Sequence, residues 1–151
     1  MADNQDHILL ADDHGIIRLI VKIIIQKYLP DATFHEAGDF VKVQELINKF
    51  EFSLIVLDIN MPGGDYFQTL ELIGQKQSDA KILVFSSYDE SLYSIRSLEA
   101  GADSYVQKTS STEDFNKAVK KILKVGQYAS NNISQQKYLK NKLDELDKKK
   151  V

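Results

Sequence analysis

The sequence predicts an α/β fold: one five-stranded parallel sheet, strand order 2-1-3-4-5, with helices on both faces. Three observations carry this. Short apolar runs start about every twenty to thirty residues, the length of a strand-plus-helix unit, and helical patterns separate them. The runs are near-continuous, as in Leu54-Ile55-Val56-Leu57, which is how strands buried on both faces read. Four of the runs also stop at a polar residue: Asp12-Asp13, Asp58, Ser86 and Lys108. If the strands are parallel, those side chains meet at one sheet edge, the edge where open α/β sheets bind ligands.

Taken in order, residues 7–11 read as the first strand and 15–28 as a helix with apolar residues on most faces, expected to be largely buried. Pro30 closes that helix, and 32–36 form a short second strand. Asp39 is placed to cap a helix running to about residue 50, with Phe40, Val43, Leu46 and Ile47 on one face. The third strand is 53–57, followed by Asn60-Met61-Pro62-Gly63-Gly64-Asp65, dense in turn formers. A helix over 66–76, a strand over 81–85 and a helix from near Asp89 to Gly101 come next. The fifth strand is 103–107. The last helix, capped by Ser110, Ser111 or Thr112 with Glu113 and Asp114 in its first turn, is expected to end at Gly126. Strand order follows the flavodoxin-like (βα)5 arrangement by analogy, since periodicity alone does not fix it.

Residues 1–126 thus read as one domain. Residues 127–151 read as a tail or linker without strand candidates, with six lysines against three acids from 137 onward. Leu139, Leu143 and Leu146 lie at i, i+4 and i+7, a narrow stripe fit for a helix that meets a partner or leads to another domain; the plainer reading is a solvated tail.

Composition removes several classes. A net charge of −3 supplies no basic field for nucleic acid, so none is expected to bind this chain. The absence of cysteine excludes disulfides, thiolate catalysis and zinc–sulfur sites. No apolar run is long enough to span a bilayer and no signal peptide is visible, so no membrane partner and a cytoplasmic location are expected.

The converging groups suit phosphoryl chemistry. Magnesium favours oxygen ligands and commonly takes one or two carboxylates, and Asp12, Asp13 and Asp58 offer these. A carboxylate such as Asp58 can accept a phosphoryl group as an acyl phosphate. Lys108 offers a compact positive charge and Ser86 a hydrogen-bond donor to phosphoryl oxygens. Alone, a strand-end Asp pair is often only a helix cap, and a lone strand-end Asp, Ser or Lys is usually unremarkable. All four occurring in order, each at a strand end, point to phosphoryl chemistry together.

Read as motifs, ILLADDH, LIVLDINMPGGD, LVFSSYD and GADSYVQK resemble the receiver (CheY-like) domain of two-component response regulators over about residues 7–126. ADDH and VGQYASNNIS are most similar to the NarL/FixJ (LuxR-type) group. The resemblance implies that Asp58 is the phosphoacceptor and that Asp12, Asp13 and Asp58, with the backbone carbonyl of Asn60, hold Mg²⁺. It implies Ser86 as the switch hydroxyl, Tyr105 as the switch aromatic and Lys108 as the phosphate-pairing lysine. The implied donor is a sensor histidine kinase or phosphotransfer protein. Phosphorylation would draw Ser86 toward the phosphoryl group and turn Tyr105 inward, changing the surface of helix four, strand five and helix five, to which a second copy of the chain is one candidate partner. Members of that group usually carry a DNA-binding domain after the receiver; none follows within this sequence, so it is either a piece of a longer protein or a stand-alone receiver. No enzyme acting on other molecules is expected, only a chain that promotes its own phosphorylation and dephosphorylation.

Departures from the pattern make further expectations. Asp65-Tyr66 stands where Asp-Gly is common, so the turn must tolerate bulk or differ in shape. Thr109 follows Lys108 where a proline after a cis bond is common, so the bond is either trans or held cis by its surroundings at roughly 2.5–4 kcal/mol. Tyr88 is expected to restrict attacking water and lengthen the phosphorylated state. His7 is expected to be a surface residue, and His14 to cap or border the site. Two rival functions remain at this stage: a Mg²⁺-dependent phosphohydrolase, against which Asn60 replaces the usual second Asp, and a receiver-like module that binds partners without phosphate.

Overall fold

The computed structural model describes residues 5–88 and 90–124; the leucine stripe at 139–146 and Gly126 lie outside the described residues. Its order is β1 (His7–Ala11), α1 (Gly15–Gln26), β2 (Thr33–Ala37), α2 (Phe40–Ile47), β3 (Leu54–Leu57), α3 (Tyr66–Lys76), β4 (Lys81–Ser86), α4 (Glu90–Glu99), β5 (Ser104–Gln107) and α5 (Thr112–Leu123). The strands form one parallel sheet in the order β2-β1-β3-β4-β5, as expected.

Period-two alternation divides the apolar strand residues between two cores. Leu9, Ala11, Ile55, Leu57, Ile82 and Val84 face α2 and α3, meeting Phe40, Val43, Leu70 and Ile73. Ile8, Leu10, Leu54, Val56, Leu83 and Val106 face α1 and α5, meeting Val21, Ile25, Phe115 and Val119. All four residues of β3 are buried, so both of its faces are covered, which is why its run shows no alternation.

The caps follow the local chemistry. Asp39 accepts from Lys42 N–H, Asp65 from Gln68 N–H and Ser111 from Asp114 N–H, each satisfying a donor that the helix start leaves free. Gly101, with φ of +119°, supplies the left-handed turn after α4. Where Asp-Gly was the common pattern, Tyr66 opens α3 as a buried ring whose hydroxyl meets Ser97 Oγ at 2.7 Å, so the bulk is absorbed beneath α4.

Three expectations need correction. Only Val21, Ile24 and Ile25 of α1 are buried, while Ile16, Leu19, Ile20 and Ile23 are exposed, because one sheet face covers only one side of this helix. His7 is not a simple surface residue: it begins β1, its Nδ1 lies 2.9 Å from His35 Nε2, and its ring stacks on Phe50, against which the His35 ring is tilted. α5 ends at Leu123 rather than Gly126, because Lys124 turns left-handed with φ of +42°. Among the described residues no helix is long and apolar enough to cross a membrane.

Candidate functional site

Parallel register aligns the strand ends. Ala11 pairs with both Ala37 and Leu57, and Ser86 with Gln107, so the residues that follow share one edge. The ladder continues a step beyond the strands: Asp12 N–H donates to the Ala37 carbonyl at 2.9 Å, Asp58 N–H to the Ala11 carbonyl at 2.9 Å, and Lys108 N–H to the Ser86 carbonyl at 2.6 Å. The backbone therefore fixes Asp12, Asp58 and Lys108 before their side chains interact.

Those side chains converge. Lys108 Nζ lies 2.7 Å from Asp12 Oδ2 and 3.4 Å from Asp58 Oδ2, with the lysine side chain 12% exposed and that of Asp58 3%. Asp12, Asp13, His14 and Asp58 each offer one ligand atom, all within 4.8 Å of one another. Burial pushes the Asp58 carboxyl above its usual range, and the Asp12 charge pushes the same way, while Lys108 and the Asn60 backbone N–H oppose them. Beside two more carboxylates the ionised form of Asp58 is disfavoured, a cost that a cation would offset, and the oxygens of Asp12, Asp13 and Asp58, with His14 at their rim, suit a hard divalent ion.

His14 borders the site more closely than a cap would. It is the N-cap residue of α1 but makes no side-chain cap bond. Its N–H donates to Asp12 Oδ1 at 2.9 Å, and its Nδ1 sits 3.1 Å from Asp12 Oδ1 and 3.0 Å from Asp13 Oδ1. Arg18 was not anticipated. Its Nη1 donates to the Asp12 carbonyl at 2.6 Å and its Nε to Glu36 Oε1 at 2.8 Å, tying the loop after β1 to β2. The signal for it is a cation near a helix start, where the dipole disfavours positive charge and an acceptor must compensate.

Ser86 ends β4 at this edge, and Tyr105 stands two residues back from the end of β5. Ser86 Oγ, fully buried, accepts from Tyr88 N–H at 3.2 Å. Tyr105 is also buried, and its hydroxyl donates to the Tyr88 carbonyl at 3.1 Å. The ring expected to turn inward on phosphorylation is thus already inside, because the Tyr88 carbonyl gives its hydroxyl a partner there. Tyr88 itself is 39% exposed and packs on Tyr93, ring centroids 4.9 Å apart. No peptide bond among the described residues is cis, so Lys108-Thr109 is trans.

Comparison with known proteins agrees with this geometry. The profile of the response regulator receiver domain matches residues 8–120. The Fimbriae Z protein of Escherichia coli K12 is 33% identical over 116 residues, covering 77% of this chain and 55% of its own. The nitrate/nitrite response regulator protein NarL of the same organism is 37% identical over 113 residues, covering 74% and 52%. The chain therefore spans about half the length of these relatives. Among solved structures, a CheY-like receiver domain from Methanospirillum hungatei superimposes with a TM-score of 0.68 at 25% identity, covering 78% of this chain and 92% of that one. The isolated receiver domain of RcsB from Salmonella enterica superimposes at 0.72 with 20% identity, covering 80% and 90%, a likeness of fold alone.

Proposed function

The chain belongs to the response regulator receiver family, and from that premise we propose that Asp58 accepts a phosphoryl group from the phosphohistidine of a sensor histidine kinase or phosphotransfer protein. The observation that carries this reading is the single ammonium of Lys108 held between Asp12 and Asp58 at the sheet edge. Receiver domains are typically signalling modules rather than enzymes acting on other substrates, and they bind Mg²⁺ at an acidic pocket.

In the proposed reaction an Asp58 carboxylate oxygen attacks phosphorus, the phosphorus–nitrogen bond to the donor imidazole breaks, and an acyl phosphate forms. The departing imidazole takes its proton from solvent. Asp12, Asp13, Asp58 and the Asn60 carbonyl would hold Mg²⁺, which would neutralise the carboxylates and the incoming phosphoryl oxygens. Lys108 stays within reach of Asp58 and pairs with a phosphoryl oxygen, which is positioning and charge neutralisation, the main demands of phosphoryl transfer. Ser86 rotates its hydroxyl from the Tyr88 N–H toward the phosphoryl group. Because Ser86 and Tyr105 both bond to the Tyr88 backbone, that rotation shifts the loop before α4 and changes the α4-β5-α5 surface. Residues 1–126 act as the receiver and 127–151 as a linker or tail. The output is a partner of that surface, a second copy or a transcriptional domain of the NarL type, in the cytoplasm.

Intact mass after incubation with acetyl phosphate and Mg²⁺ tests the proposal. One phosphoryl adduct is expected on the natural chain and none on Asp58→Asn; adducts on both, or on neither with Mg²⁺ bound, would refute it.

A further inference from the structure

The start of α3 and the last turn of α4 meet at a contact separate from Ser86, Tyr88 and Tyr105. Tyr66, the first residue of α3, is buried, and its hydroxyl lies 2.7 Å from the Oγ of Ser97, itself fully buried on α4. A phenylalanine would fill the same space. A buried phenol and a buried serine hydroxyl each need a polar partner, and here each supplies the other. The neighbouring pair repeats the link nearer the surface: the Arg96 guanidinium lies 4.2 Å from the centre of the Phe67 ring, which in turn meets the Tyr66 ring edge-on at 4.8 Å. Two consecutive residues of α3 thus hold two consecutive residues of α4.

Tyr66 also closes the loop that begins at Asp58, and that loop has little slack. Asp58 N–H is bonded to the Ala11 carbonyl at one end, the Pro62 carbonyl accepts from Phe40 N–H at 2.9 Å, and Asp65 caps α3 through Gln68 N–H at the other end. A Cβ on Gly64 would stand 3.2 Å from the Phe40 Cβ, so the loop lies tight against α2. Burial pushes the Tyr66 phenol up, the bond to Ser97 pulls it down, and Tyr105 and Asp58 push it up again, which puts the hydroxyl within electrostatic reach of both.

We propose that Tyr66 is a positioning residue that ties the Asp58 loop to α4 through Ser97, a second link beside the one through Ser86, Tyr88 and Tyr105. The inference rests on Asp58 accepting the phosphoryl group. A charge placed on Asp58 displaces a loop that is pinned to β1 and α2, and the Tyr66–Ser97 bond hands that displacement to α4. The Ser86 path acts on the chain before α4, whereas the Tyr66 path grips the helix in its last turn, so the two move α4 from opposite ends. Linkage makes the effect mutual: a partner that holds α4 in one position alters how readily Asp58 is phosphorylated.

The test uses the full chain, with Tyr66→Phe and Ser97→Ala made singly and together. Intact mass after acetyl phosphate and Mg²⁺ comes first: no adduct on the natural chain would sink the Asp58 reading, and this inference with it. Given that adduct, amide hydrogen exchange across α4 is compared before and after phosphorylation, scaled to the fraction carrying the phosphoryl group. The phosphorylation-dependent change in α4 is expected to fall roughly twofold or more in Tyr66→Phe, equally in Ser97→Ala, and no further in the double variant, since one bond cannot be lost twice. The double variant leaves no orphaned hydroxyl and is the one to use should a single variant not fold. Ile25→Val, which loosens the other core, should leave the α4 response unchanged and so separates coupling from lost stability. A response in the double variant equal to that of the natural chain would overturn the proposal and reduce Tyr66 to packing, whatever its Tm. An α4 that does not respond in the phosphorylated natural chain would overturn it too, as would a double variant that takes no adduct, because the contact would then serve Asp58 itself rather than α4.

Discussion

Asp58 sits where two costs meet: burial and the neighbouring charge of Asp12 both raise its pKa, and Lys108 offsets only part. A group whose folded pKa is raised contributes stability below the unfolded value and loses it as pH rises through the folded value. Asp58→Asn removes that loss, so in EDTA at neutral pH its Tm should exceed that of the natural chain by a few degrees, the difference shrinking as pH falls through the carboxylate range. A thermal scan at pH 7 and pH 4 checks both signs; a lower Tm for the variant at pH 7 would contradict the electrostatic account. Tyr88 is the second residue with a stated consequence. Its ring, two residues past Ser86, rests on Tyr93, and Tyr88→Ala should speed loss of the phosphoryl group several-fold. Equal decay rates in the two chains would remove Tyr88 from the account. Sequence order revealed Asp12, Asp13, Asp58, Ser86 and Lys108 because each ends a strand-like run. Arg18 lies inside a helix pattern and carries no such flag.

Among the elements, the caps and one-sided helices were legible and α1 was not. For α2 the sequence stripe Phe40, Val43, Leu46 and Ile47 matches the buried set, since one apolar face meets one core. In α1 the aliphatic residues run round the helix, and a sequence gives no means of telling a helix covered on both sides from one whose second partner lies elsewhere. The β1–β2 pairing hides another feature: His7 and His35 are 28 residues apart and become neighbours only through strand register. Burial chiefly, and then the His7 charge, lowers the His35 pKa from 6.5, so its contribution to stability is present above that value and is lost as pH falls through the folded one. Urea midpoints should therefore drop between about pH 7.5 and pH 5, and His35→Phe, which suits the Phe50 and Phe52 surroundings, should flatten that drop. An unchanged slope in the variant would show that other groups cause it.

For the molecule as a whole, the recurring apolar runs and their polar endings were enough to indicate the sheet and the edge where its chemistry gathers. They could not supply the third dimension of that edge, such as the 2.7 Å contact of Lys108 with Asp12 or the common use of the Tyr88 backbone by Ser86 and Tyr105. Both arise from register between strands far apart in sequence. The central claim is that this edge directs one phosphoryl group to one of three neighbouring carboxylates. Reductive trapping with borohydride after acetyl phosphate treatment, followed by peptide mass spectrometry, tests it most directly, because an acyl phosphate is reduced where it formed. The account predicts the reduced residue at position 58 alone; reduction at Asp12 or Asp13, or none in a chain that binds Mg²⁺, would contradict it.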